Sequence, residues 1–130
     1  TRKESSAASD VYKRQGMTSE KNQGNLGDGP LVIMMDATSI AHDGFRKHIK
    51  EVAEAHHIPV QWATTPGGGT DAGSIHVANE GIPTITIGVP LRYMHSNVSV
   101  MHTDDYENSV QLITEIVRSL NDDSYQSLMW

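Results

Sequence analysis

The longest uninterrupted apolar stretch in the chain is Leu31-Val-Ile-Met-Met35, bounded by the turn signal Gly27-Asp-Gly-Pro30 before it and by Asp36 after it. Five residues fall far short of the roughly 20 needed to cross a bilayer, so a membrane-spanning helix is excluded. A run this short and sharply bounded suits a strand buried on both faces, which needs helices to cover it.

The following segments supply those helices. Phe45, Ile49, Val52 and His56 recur at spacings of four, three and four among Lys, Glu and Ala, which predicts an amphipathic helix of about four turns. Residues 58–64 alternate around Trp62 and read as a strand. Thr65-Pro-Gly-Gly-Gly-Thr-Asp71 is a loop opening a short small-residue helix over about 71–79, which Glu80-Gly-Ile-Pro83 ends. Residues 84–88 form the third strand candidate, and 98–102 a short fourth. Tyr106, Val110, Ile113, Val117 and Leu120 mark a last helix that begins near Asp104 or Asp105, where acidic residues suit the positive end of the helix dipole. Strand, helix, strand, helix, strand, helix is the order of an α/β layer with at least some parallel pairing.

Charge divides the chain unevenly. Residues 1–15 carry a net charge of +2 and the remainder −8. The first fifteen residues have no apolar periodicity and read as a disordered or non-native leader, followed by a glycine-spaced linker over 16–30 and, beyond residue 121, a tail. About 100 residues then remain to bury a sheet on two sides, which is marginal, so the folded part reads as a piece of a larger sheet. The 130 residues include no cysteine, which excludes disulfides and thiolate metal sites and fits a reducing cytosol. Ten Lys and Arg against sixteen Asp and Glu leave no basic footprint for nucleic acid.

Two loops leave strand ends, where α/β sheets bind ligands. In Gly67-Gly-Gly-Thr-Asp-Ala72, three glycines allow close backbone approach, and Thr70 or Asp71 can cap the next helix. The loop lacks the lysine of a nucleotide P-loop, which leaves a nucleotide-binding module weakly supported. In Pro90-Leu-Arg-Tyr-Met-His-Ser96, His95 carries a metal-ligating imidazole beside Arg92 and Ser96, and it is expected to reach the same crevice as the glycine loop. His42, His48, His56, His57, His76 and His102 have no supporting motif and read as structural or surface residues. No paired-carboxylate arrangement for glycoside hydrolysis is visible.

Together and in this order, GGGTDA, GIPT, the G-x-P-x-R-Y-x-H-S segment and a downstream Asp-Tyr resemble the M42 family of metallo-aminopeptidases, and Gly27-Asp-Gly-Pro30 resembles that family's G-x-G-P turn. The resemblance covers about residues 26–120, roughly the last third of a family member. It implies a partial three-layer sandwich with a mixed, mostly parallel sheet flanked by helices, the C-terminal part of a zinc-peptidase-like catalytic domain over 31–121. It also implies a hydrolase that releases residues from peptides with a free N-terminus, using two divalent ions, zinc or cobalt, to activate water. His95 is the one family metal ligand that maps onto this sequence. Thr70 and Asp71 would line the cleft, with Arg92 and Ser96 as supporting groups.

The family's other ligands and its general-base glutamate belong upstream and have no counterpart between Thr1 and Gly29. Asp36 lies after the G-x-G-P turn, where the family pattern places no ligand. The chain alone is therefore expected to be inactive. The resemblance further implies a cytoplasmic homo-oligomer, a dodecamer built from dimers. The alternative is a non-catalytic α/β binding or assembly module.

Overall fold

The computed structural model describes residues 24–129. The expected leader over 1–15 lies outside the described residues, as does the linker up to residue 23. Three strands and four helices follow in the order β1 (Leu31–Asp36), α1 (Asp43–Ala55), β2 (Gln61–Thr65), α2 (Ala72–Ile75), β3 (Thr86–Gly88), α3 (Thr103–Ser119) and α4 (Asp122–Met129). The sheet order is β2-β1-β3. β1 and β2 run parallel over five registered pairs, from Leu31 opposite Gln61 to Asp36 opposite Thr65, while β1 and β3 run antiparallel over three, from Leu31 opposite Gly88 to Ile33 opposite Thr86. The α/β architecture with a mixed sheet expected from the sequence is therefore present.

β1 is buried on both faces, as its composition predicts. Val32 joins Ile49, Val52, Ala53, Ile58, Leu112 and Ile116 in one cluster, and Leu31 and Ile33 join Ala63 in a second. α1 packs against α3 and α4. Val32, Ile49 and Leu112 are fully buried, and each such side chain contributes roughly 1.5–3 kcal/mol of transfer free energy.

Several elements differ from the sequence-based expectations, each for a local reason. β3 begins at Thr86 instead of residue 84. The edge of β1 past Ile33 is occupied by the segment after the strand, through a bridge between Met35 and Ile40 and a hydrogen bond from Ala41 N to the Met34 carbonyl. α2 stops at Ile75 and continues only as turns, with Ala78 N donating to the Ile75 carbonyl and Gly81 N to that of Ala78, and the left-handed Asn79 (φ 53°) and Gly81 (φ 95°) end those turns. The expected strand over 98–102 is a single bridge between Arg92 and Val100. The expected tail from residue 122 carries α4, whose Leu128 is buried.

α3 forms where its periodicity predicts, but the apolar series does not face the core. Tyr106, Val110, Ile113 and Val117 are exposed, and the buried side is Asp105, Ser109, Leu112 and Ile116. Asp105 is completely buried at the start of the helix. It accepts hydrogen bonds from Gly27 N (2.7 Å) and Gly29 N (2.8 Å), pinning the Gly27-Asp-Gly-Pro30 turn to α3. Gly29 has φ 95°, and a Cβ there would collide with the Pro59 carbonyl. Two helices are capped by imidazoles: His42 Nδ1 accepts from Phe45 N, and His102 Nδ1 accepts from Asp104 N.

Candidate functional site

The glycine loop leaves the carboxyl end of β2 and is fastened at its base. The anchor is Asp36, the last residue of β1, which is 6% exposed. Its Oδ1 accepts from Thr38 N (2.7 Å), Thr38 Oγ1 (2.8 Å), Ser39 N (2.8 Å) and Ser39 Oγ (3.2 Å). Its Oδ2 accepts from Thr70 Oγ1 (2.6 Å) and Thr70 N (3.2 Å), so one carboxylate joins the loops that follow two adjacent strands. Burial opposes ionisation of this carboxyl, but the hydrogen bonds from Thr70, Thr38 and Ser39 outweigh it and hold the pKa down at about 2.

Two further contacts shape the loop. Ala37 N donates to the Gly68 carbonyl (2.9 Å). A Cβ at Gly69 or Gly73 would run into the Thr38 side chain, whereas Gly67 and Gly68 have no neighbour within 4 Å of such an atom. The glycines therefore serve two purposes: the last two give Thr38 room, and the first two form an open tip. Thr70 and Asp71 line a cleft of about 270 Å³ with Ile75 and with Thr84 to Ile87, which lead into β3. Thr70 Oγ1 lies 3.3 Å from Thr86 Oγ1 on the facing strand. Asp71 is exposed and makes no capping hydrogen bond, contrary to one reading of its position before α2.

The His95 loop is held differently. Arg92 and Val100 exchange both backbone hydrogen bonds (2.8 and 3.1 Å), closing a loop over 93–99. Ser96 Oγ shares its single proton between the carbonyls of Tyr93 and Val98, and Ser99 Oγ also reaches the Tyr93 carbonyl. Tyr93 (φ 60°) and His95 (φ 63°) both occupy the left-handed region, an unfavourable conformation for side chains of this size. His95, Arg92 and Ser96 are exposed.

The two loops do not leave the sheet at the same end. Because β3 is antiparallel to β1, its carboxyl end pairs with Leu31 at the start of β1, whereas the glycine loop sits beside Asp36 at the other end. His95 would reach the crevice of the glycine loop only in a sheet whose three strands all point the same way. The cleft beside Thr70 and Asp71 is not lined by Arg92, His95 or Ser96. Among the described residues, no group of three or more His, Asp or Glu side chains is placed to hold a metal ion, so no complete metal site forms around His95. No helix among them is long and apolar enough to cross a membrane.

Sequence reasoning set Asp36 aside as a ligand and missed it as the anchor of the glycine loop. The available signal was Asp36-Ala-Thr-Ser39 directly after a buried strand, a pattern in which a carboxylate accepts from its own following turn.

Comparisons with known proteins agree with this architecture. The family model for M42 glutamyl aminopeptidase matches residues 6–112. A glutamyl aminopeptidase of Lactococcus lactis is 34% identical over 100 residues, which is 77% of this chain and 28% of that protein. A lysyl aminopeptidase of Pyrococcus furiosus is 33% identical over 96 residues, covering 73% of this chain and 27% of that one. Among solved structures, a TET aminopeptidase from a marine sediment archaeon of the Thaumarchaeota superposes with a TM-score of 0.89 at 28% identity, over 93% of this chain and 34% of its own. The TET1 peptidase of Pyrococcus horikoshii, described as able to assemble into a tetrahedron or a large octahedral shell, gives a TM-score of 0.66 at 31% identity, covering 75% of this chain and 28% of that one. The chain thus spans little more than a quarter of the length of the curated relatives it matches.

Proposed function

Because the chain belongs to the M42 glutamyl aminopeptidase family, we propose that it is the C-terminal part of a metal-dependent aminopeptidase that releases residues from peptides with a free N-terminus. The observation that carries this reading is the superposition of nearly the whole chain on a TET aminopeptidase at a TM-score of 0.89. A pair of divalent ions, zinc or cobalt, would supply the parent enzyme with a Lewis acid for the amide carbonyl and a more acidic water. His95 supplies one donor, and the remaining ligands and the general base come from outside the described residues.

The chain's own groups have three tasks in this proposal. The Ser96 hydroxyl, held between the Tyr93 and Val98 carbonyls, fixes the backbone of the loop that presents His95. Arg92 anchors the base of that loop through its backbone pairing with Val100. Thr70 and Asp71 form a wall of a cleft at the other end of the sheet from His95, where an exposed carboxylate complements a cationic side chain of a peptide that extends beyond the metal site. In this proposal the parent is a cytoplasmic homo-oligomer, and the tetrahedral or octahedral shells described for the P. horikoshii relative support the assembly part of it.

The test is to express the full-length protein that contains this segment and follow release of the amino-terminal residue from a free and an N-acetylated peptide. Cleavage of the free peptide alone, abolished by a chelator and restored by zinc or cobalt, supports the reading. His95→Ala is expected to lower both metal content and rate. The 130-residue chain tested by itself is expected to be inactive, and a metal-stimulated release by it would refute the division of the active site proposed above.

A further inference from the structure

We propose that Asp36 is a positioning residue for the cleft: by holding Thr70, it fixes the wall that carries Asp71 and so sets how that wall meets a peptide lying in the cleft. The proposal rests on the aminopeptidase reading above for the identity of the substrate, but not for the existence of the clasp. The two carboxylate oxygens are divided in a specific way. Oδ1 is occupied by donors within three residues of Asp36, which lock the strand-end turn. Oδ2 is given to Thr70, 34 residues away, on both its amide and its hydroxyl.

The hydroxyl contact also sets a direction. A carboxylate only accepts, so Thr70 Oγ1 must donate its proton to Asp36. Its lone pairs then face donors on the other side, and the contact at 3.3 Å with Thr86 Oγ1 is one in which Thr86 donates. Asp36, Thr70 and Thr86 therefore form a hydrogen-bond chain with a single polarity, running from the sheet end to the strand that lines the cleft opposite Thr70. Around the chain, Thr38 packs against the positions of Gly69 and Gly73, and Ala37 N holds the Gly68 carbonyl. The base of the loop is clamped on three sides while its tip at Gly67 and Gly68 is open. Asp71 follows directly on the clamped Thr70 and is exposed, with no capping bond to use its carboxylate. This is a rigid support that presents an acidic group, not a loop that serves only to connect two elements.

The experiment uses the full-length protein with Asp36→Asn, Thr70→Val and Thr70→Ser. Thr70→Val removes the hydroxyl with almost no change of shape, and Thr70→Ser restores it, so the pair remains informative if Asp36→Asn folds poorly. Hydrogen exchange read by mass spectrometry is expected to quicken about tenfold in segments 36–40 and 66–72 of Asp36→Asn and Thr70→Val, with β1 core amides unchanged. In the peptide assay, both variants are expected to raise KM about tenfold at unchanged metal content, with kcat affected less and Thr70→Ser close to the parent. Unchanged exchange in both segments overturns the clasp. Quickened exchange with an unchanged KM overturns its role in positioning the substrate. If the unsubstituted protein releases no residue from any peptide, the aminopeptidase reading fails, and exchange still decides the clasp.

Discussion

Replacing Asp105 by alanine tests whether a buried carboxylate, and not an apolar contact, fastens the start of the described chain to α3. The side chain is completely buried and accepts from Gly27 N at 2.7 Å and Gly29 N at 2.8 Å, the first partly buried and the second buried. Hydrogen bonds to a charged group contribute about 1.5–3 kcal/mol each, and an orphaned buried amide costs about 1–3 kcal/mol. Water can reach the Gly27 amide after the substitution but not the Gly29 amide, and part of the loss is offset because a buried charge is no longer desolvated. The balance is a destabilisation of about 3 kcal/mol. For a domain of this size that lowers Tm by roughly 12–20 °C. Asp104→Ala is the control, because Asp104 lies in the same first turn, is exposed, and loses only a dipole interaction of about 0.5 kcal/mol. Equilibrium urea unfolding of both variants with unchanged m values measures the difference. If Asp105→Ala costs no more than Asp104→Ala, the two glycine amides do not depend on the carboxylate and the reasoning is wrong.

Three further outcomes follow from the same geometry. The Asp36 carboxyl is held at about 2, below its ordinary 3.8, so its contribution is fully present above pH 4 and is lost as pH falls through 2; acid titration of stability should show a loss of about 2 kcal/mol in that window that Asp36→Asn lacks. Gly29→Ala meets both φ 95° and the Pro59 carbonyl and should cost about 2–3 kcal/mol in thermal unfolding, whereas Gly67→Ala, in open space without positive φ, should stay within about 0.5 kcal/mol. Ile49→Ala should cost about 2–5 kcal/mol and Ile113→Ala under about 1 kcal/mol in this chain, as read by urea midpoints; equal costs would mean that the α3 face is assigned wrongly.

The elements that sequence located well are those whose pattern and environment agree. β1 is legible because five apolar residues between a turn and an aspartate leave no other arrangement, and α1 because Phe45, Ile49 and Val52 fall on the side that packs. On α3 the period was legible and the buried face was not. Its buried seam includes Asp105 and Ser109, which read as polar surface because their partners are far away in sequence or in the backbone: the Gly27 and Gly29 amides for Asp105, and the Asp105 carbonyl for Ser109. The direction of β3 was also hidden, since strand polarity depends on which edge of β1 is free, and Ile40 and Ala41 limit that edge. That direction governs where His95 leaves the sheet, so the candidate site was legible in its residues and not in their arrangement.

Thr38 has a consequence for how this segment can change over time. Its methyl occupies the space that a side chain at position 69 would need, its hydroxyl oxygen and Cβ occupy the space needed at position 73, and the same hydroxyl serves Asp36. Alanine at Gly73 becomes acceptable only after Thr38 has shrunk, and shrinking Thr38 to glycine removes a donor from the carboxylate that secures Thr70. Each single step is thus unfavourable until another has occurred. Positions 36, 38, 69, 70 and 73 behave as one heritable unit: substitutions at them should be strongly epistatic, and a library that varies them one at a time will find almost no tolerated change where a combined library finds several.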